Sequence, residues 1–272
     1  MTPTSAGDVL DRVLTDLADE GTDLEALVAD LSEDQWRLPT PAQGWDVATS
    51  IGHLAWTDEA ALLACTAAKG DKSGWDALVL QAIEDMDGIV DKAAAEVGSF
   101  APEVLLARWR ESRTALEHAL RELPEGLKLP WFGPPMSAVS MATARFMETW
   151  AHGLDVYAAL GRAYLPTDRI THVAHLGYRT LRYSFANNGL PVPESDIRLE
   201  LASPGREVWT FGPDDAAQRV TGSAYDFCLL VTQRIHRADT DLEATGADAD
   251  AWLDIAQCFA GPAGGGREPR VP

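Results

Sequence analysis

Apolar residues recur at three-and-four spacing through most of the first 185 residues, and that period restricts this part of the chain to packed amphipathic helices. Val9, Leu10, Val13, Leu14 and Leu17, followed by Leu24, Leu27, Val28 and Leu31, set the pattern at the start. Gly21 and Thr22 are expected to kink or split this first helix. Ser32-Glu33-Asp34-Gln35 is a capping box for a short turn that Pro39 and Pro41 end. Asp46 is placed to N-cap a long helix through Ile51, Leu54, Ala55, Leu62 and Leu63, with His53 near its middle. The pattern predicts further helices over Trp75–Val97, with Met86 on the apolar side, over Pro102–Leu123, over Ser137–Leu160 and over Asp168–Phe185. A Pro- and Gly-rich loop separates the second and third of these.

The period changes after Asn187–Pro193, which reads as a linker. Ile197, Leu199 and Leu201 alternate with Arg198 and Glu200, a turn follows at Ser203-Pro204-Gly205, and Val208–Phe211 reads as the partner strand. A third strand is expected around Arg219–Thr221, then helices from Ser223 and over Ala249–Phe259. The resulting architecture is mainly α: a helical bundle over residues 1–190, a small α+β domain over 195–262 and a flexible tail over 263–272.

With 46% hydrophobic residues, the 272-residue chain has the material for a sizeable core. Its formal net charge of -20 would repel a nucleic-acid backbone or an anionic membrane, so neither is expected as a partner. No apolar run approaches the ~20 residues of a spanning helix, and Met1–Ser5 carries no signal-like core, so a cytoplasmic monomer or homodimer acting on a small molecule is expected. Cys65, Cys228 and Cys258 are odd in number and far apart, which favours buried packing over a disulfide framework.

One constellation carries chemistry. Glu148 and His152 are one helical turn apart in Phe146–Asp155 and project from the same face. His53 lies on another predicted helix, among apolar neighbours. In a bundle, side chains from facing helices converge on the interior, so these three can present two imidazoles and a carboxylate to one ion. Three protein ligands with an open position are the pattern of catalytic zinc, and the same set serves iron(II).

Trp36–Thr40, Gly44-Trp45-Asp46-Val47, Gly52-His53-Leu54 and Glu148–Val156 together resemble the DinB-like superfamily and, within it, the mycothiol-dependent maleylpyruvate isomerase family. The resemblance implies a DinB-like four-helix bundle whose metal triad corresponds to His53, Glu148 and His152. It implies a divalent metal, Zn2+ first with Fe2+ or Ni2+ as other occupants, and mycothiol as co-substrate. Val208–Gly212, Val220–Gly222, Leu229–Arg234 and Asp241–Gly246 are similar to the sterol-carrier-like domain of that family, whose catalytic arginine corresponds to Arg234. The function implied is thiol activation for transfer to, or isomerisation of, a small electrophile. The alternatives are a metal-dependent hydrolase, lyase or cyclase without thiol, and a metal-stabilised small-molecule binding protein.

Other candidates read as structural. His172 and His175 share a helix face without a matching carboxylate, and His118 and His236 lie beside charges and are expected in solvent. Glu111 with Arg108, Arg110 and Arg113 reads as a solvated face, and Glu84, Asp85, Asp87 and Asp91 as a solubilising run lacking calcium-loop spacing. Trp45, Trp56 and Trp150 are assigned to packing. Trp131 and Phe132 are assigned to a pocket mouth.

Overall fold

The computed structural model describes residues 5–85 and 88–270, which fall into two compact units, Met1–Tyr164 and Leu165–Pro272. The first unit is helical. Helix α1 (Ala6–Val28) is capped by Ser5 and Asp8 in a reciprocal box, and the short α2 (Glu33–Trp36) by the expected box of Ser32 and Gln35. Asp46 caps α3 (Val47–Ala68) through its carboxylate to Thr49 N–H. Then follow α4 (Ser73–Glu84), α5 (Ile89–Gly98), α6 (Pro102–Arg121, with proline in its first turn) and α7 (Ala138–Ala159, capped by Ser137). Helices α1, α7, α3 and α6 pack in that cyclic order as a four-helix bundle, and α5 lies along α3. Buried Leu14, Ile51, Leu54, Leu105, Leu116, Phe146 and Trp150 fill its interior.

Several local expectations are corrected. Helix α1 runs unbroken through Gly21, which faces the Arg113 side chain of α6, while the Thr22 hydroxyl bonds back to Ala18 O. The helix expected over Trp75–Val97 is two, because Asp85 leaves the helical region at φ -149°, ψ 68° and a new helix starts after Gly88. Met86 and Asp87 lie outside the described residues. The arginines of α6 do more than face solvent: Arg110 is exposed, but Arg108 grips Glu59 of α3 through two hydrogen bonds of 2.6 and 2.8 Å. Arg110 and Arg113 both hold Glu25 of α1, and Arg113 also lies over the Trp109 ring. Ion pairs thus tie three helices of the bundle together.

In the second unit a 3-10 turn (Asp168–Ile170) leads into α8 (Thr171–Arg179) and α9 (Leu181–Asn187). Strands β1 (Ile197–Ala202), β2 (Val208–Phe211), β3 (Gln218–Ser223) and β4 (Glu243–Thr245) form one sheet in the order β2-β1-β3-β4. β1 pairs antiparallel with β2 and parallel with β3, Leu199 opposite Phe211 and Val220. The expected alternation holds, with Ile197, Leu199 and Leu201 buried. Helices α10 (Ala224–Val231) and α11 (Ala247–Ile255) pack on this sheet, with Phe227 edge-on to Trp252.

The unit boundary falls at residue 165, not between 190 and 195. Helices α8 and α9 pack on α10 and α11: a Cβ on Gly177 would meet Val231 and Phe227, and Ser184 Oγ donates to Gln257 O. The expected linker is part of the same unit, since Asn187 Nδ2 donates to Gly261 O and Arg182 to Pro193 O. The tail expected to be flexible is bonded at Gly264 and at Arg270. The buried Gln257 amide takes Gly264 N–H and donates to the carbonyls of Phe259 and Pro262, and Arg270 N–H reaches Asp239. β4 was not expected, and at three residues it is too short to show a period.

Candidate metal centre

Helix α3 brings His53 to α7, where Glu148 and His152 sit one turn apart. His53 occupies the second turn of α3, not its middle, so it faces the C-terminal half of the antiparallel α7. His53 Nε2 lies 3.2 Å from Glu148 Oε2, and His152 Nε2 lies 3.3 Å from the same oxygen. Among the described residues these three form the one group of three or more His, Cys, Asp or Glu side chains able to share an ion, their donor atoms all within 4.8 Å of one another. Tetrahedral bonds of about 2.0–2.1 Å place neighbouring donors about 3.4 Å apart, so the two measured separations fit a zinc-sized ion.

The electrostatics suit metal ligation. Burial pushes the His53 imidazole down to about 4, although the hydrogen bond with Glu148 opposes it, so His53 is neutral at neutral pH. Burial works to raise the Glu148 carboxyl, but the hydrogen bonds with His152 and His53 outweigh it and hold the group well below the usual carboxylate range. A neutral imidazole and an ionised carboxylate are the forms that bind metal.

Residues around the triad complete it. Asp155, buried and one turn beyond His152, places Oδ2 3.7 Å from His152 Nδ1, the ring nitrogen that does not face Glu148. His53 Nδ1 is buried without a hydrogen-bond partner. Trp45, assigned above to packing, stacks instead on His152 with centroids 5.2 Å apart and planes at 16°. It also leans on His53 at 5.1 Å. Asp58 and Arg145 pair one turn deeper along the α3–α7 seam. The signal for Asp155 and Arg145 was available in the spacing, since each is three residues from a ligand on the same helix face. No periodicity points to Trp45, which lies in a loop.

Other candidates fall elsewhere. Arg234 follows α10 in the second unit, where its Nη1 donates to Thr232 O at 2.6 Å. Trp131 and Phe132 pack on Trp75 of α4, and α7 begins after them at Ala138, about 15 Å of helix before Glu148. His172 is buried and His175 is exposed, both outside any donor group among the described residues. His118 is exposed as expected, whereas His236 is half-buried and accepts Ala238 N–H. All three cysteines are buried, and none is in a disulfide. Of the acidic run, Asp85 pairs with Lys92 and Asp91 accepts the Trp45 indole N–H.

A family model described as the mycothiol maleylpyruvate isomerase N-terminal domain matches residues 17–157, a span that contains the whole triad. The chain belongs to that family. A second, short match, to a model described as wyosine base formation, covers residues 205–245 of the second unit. Two uncharacterized proteins of Mycobacterium tuberculosis, from strains CDC 1551 and H37Rv, are each 52% identical over 254 residues, or 93% of this chain and 97% of theirs. The fold is similar to the crystal structure of the mycothiol-dependent maleylpyruvate isomerase, with TM-score 0.60, 16% identity, and coverage of 87% of this chain and 92% of that one. A histidine-to-alanine mutant of the isomerase matches with TM-score 0.61 at the same identity and coverage. Among the described residues, no helix is long and apolar enough to cross a membrane.

Proposed function

We propose that this protein is a metal-dependent enzyme that activates a low-molecular-weight thiol, mycothiol or a relative of it, for transfer to or isomerisation of a small electrophilic substrate. The observation that carries this reading is the convergence of His53 Nε2 and His152 Nε2 on one oxygen of Glu148, at 3.2 and 3.3 Å. A divalent ion held there, Zn2+ first and Fe2+ or Ni2+ by the same donors, supplies a Lewis acid that lowers the pKa of a thiol or water entering its open position.

The chain's own residues prepare that position. Glu148 brings negative charge, and His53, which burial keeps neutral, ligates without first losing a proton to solvent. Three protein donors leave the fourth position to the co-substrate. We assign Arg234 the role of anchoring a carboxylate on thiol or substrate, since its planar guanidinium offers a bidentate donor. The family match over residues 17–157 supports the thiol-dependent choice. The reading places the activity in the cytoplasm, in a monomer or homodimer.

Elemental analysis of the purified full chain, combined with turnover of a cis-enone acid with and without added thiol, tests it. Stoichiometric metal and thiol-dependent turnover, both lost in His152→Ala, are expected. Full metal content in His152→Ala overturns the ligand set, and turnover indifferent to thiol overturns the thiol role in favour of water activation.

A further inference from the structure

A histidine that binds metal is ordinarily held in orientation by a hydrogen bond from its other ring nitrogen. Neither histidine of this centre has one. His53 Nδ1 is buried without a partner, and the carboxylate facing His152 Nδ1 is 3.7 Å away, beyond hydrogen-bond range. Another contact has to fix the two ring planes.

Trp45 is built to supply it. Its backbone is clamped in a tight turn after Gly44, which sits at φ +81°: Trp45 N–H donates to Ala42 O at 3.0 Å, and Trp45 O accepts Thr40 N–H at 2.9 Å. The indole lies flat on His152 and leans on His53, so both rings meet one rigid surface. Its Nε1–H donates to Asp91 Oδ1 at 3.0 Å, which anchors the indole to α5.

Helix α5 is in turn seated on the ligand helix. A Cβ on Gly52 would lie 2.6 Å from both Ala94 O and Gly98 N, and one on Gly98 would lie 2.9 Å from Ala48 O. The backbones of α3 and α5 therefore touch at the residue next to His53. The position of Asp91, and through it the indole, is set relative to the ligands by this contact.

We propose that Trp45, anchored by Asp91, is a positioning residue of the metal centre: it fixes the planes of His152 and His53 and closes the face it covers against metal exchange. The inference rests on the reading of His53, Glu148 and His152 as ligands, and its test separates the two. Full-length protein loaded with Zn2+, and separately with Co2+, is mixed with excess chelator, and metal release is timed for wild type, Trp45→Ala, Trp45→Phe, Asp91→Ala and Asp91→Asn. Trp45→Ala is expected to release metal at least about tenfold faster, in line with the loss of other groups that orient metal ligands. Trp45→Phe keeps a ring against the histidines and stays nearer to wild type. Asp91→Ala, which keeps the indole but removes its anchor, releases several-fold faster, and Asp91→Asn, which keeps the acceptor, restores slow release. The Co2+ absorption bands shift in Trp45→Ala and Asp91→Ala while the thermal midpoints of the metal-free proteins stay together. If wild type holds metal and Trp45→Ala and Asp91→Ala release it at the wild-type rate, the positioning role is overturned alone. A wild type that binds neither ion overturns the metal centre and the proposal together.

Discussion

Arg145 and Asp58 form an ion pair, Nε to Oδ1 at 2.8 Å, with side chains only 3% and 6% exposed, about one helical turn from the His53, Glu148 and His152 cluster. Arg145 precedes Glu148 by three residues on α7, and Asp58 follows His53 on α3, so the pair spans the same helix seam as the triad. Burial pushes the Asp58 carboxyl up, against the pull of the Arg145 guanidinium, so the charge on Asp58 depends on its partner. A pair in this position sets which residue of α3 faces which residue of α7.

Removing one partner leaves an uncompensated charge in the bundle interior. Arg145→Met is expected to cost about 3–5 kcal/mol in urea unfolding, whereas the double variant Arg145→Met with Asp58→Leu recovers much of that loss. If the double variant is as unstable as the single one, the pair's charge is not what the seam depends on.

The sequence showed the helices because amphipathic periods are local, and the caps at Ser32 and Asp46 because each is a side chain serving its own helix end. Within the triad, spacing alone linked only Glu148 and His152, which share a turn; His53 joined them through the expectation of facing bundle helices and the family resemblance. His53 needed the fold to bring α3 against α7. Arg108, Arg110 and Arg113 misled because a charge pattern on a helix does not reveal acidic partners 49 to 88 residues away in sequence. Trp45 was hidden for the opposite reason: its partners are rings on two different helices, and no spacing rule links a loop residue to both.

Asp155 Oδ2 lies 3.7 Å from His152 Nδ1, a distance that supports a charge interaction and not a hydrogen bond. Asp155→Asn is therefore expected to weaken Zn2+ binding by about tenfold, the lower end for residues that orient metal ligands. Competition titration against a chromogenic chelator measures this, and unchanged affinity removes Asp155 from the centre.

Two helical glycines predict opposite outcomes. Gly52→Ala drives a methyl to 2.6 Å from the backbone of α5, which has no flexible side chain to move aside. A loss of about 3 kcal/mol is expected, the upper end for overpacking. Gly153→Ala meets only Leu24 methyls, at 3.8 and 3.9 Å, and is expected to stabilise by about 0.5–1 kcal/mol through helix propensity. Thermal midpoints of the two variants moving in the same direction contradict this account of the α3–α5 contact.

Acid should unfold the chelator-treated protein early. Burial first, against the Glu148 hydrogen bond, lowers His53 from 6.5 in the unfolded chain to about 4 in the folded one. Between those values the unfolded chain binds the proton that the folded protein refuses, so stability rises with pH there. The contribution is fully present above about pH 6.5 and is lost as pH falls through 4, amounting to roughly 3 kcal/mol at most. Glu148 acts with the same sign, since its carboxyl is held below the ordinary value of 4.5 and must protonate on acidification. Urea midpoints of the metal-free protein at pH 7.5, 6 and 5 should therefore fall steadily, with a shallower fall in His53→Gln, which keeps a polar side chain without the titration. Saturating Zn2+ adds ligand-linked stability and shifts the fall to lower pH, because protons must then compete with the metal for both histidines. Equal slopes with and without Zn2+ would mean that the groups governing acid unfolding are not the metal ligands.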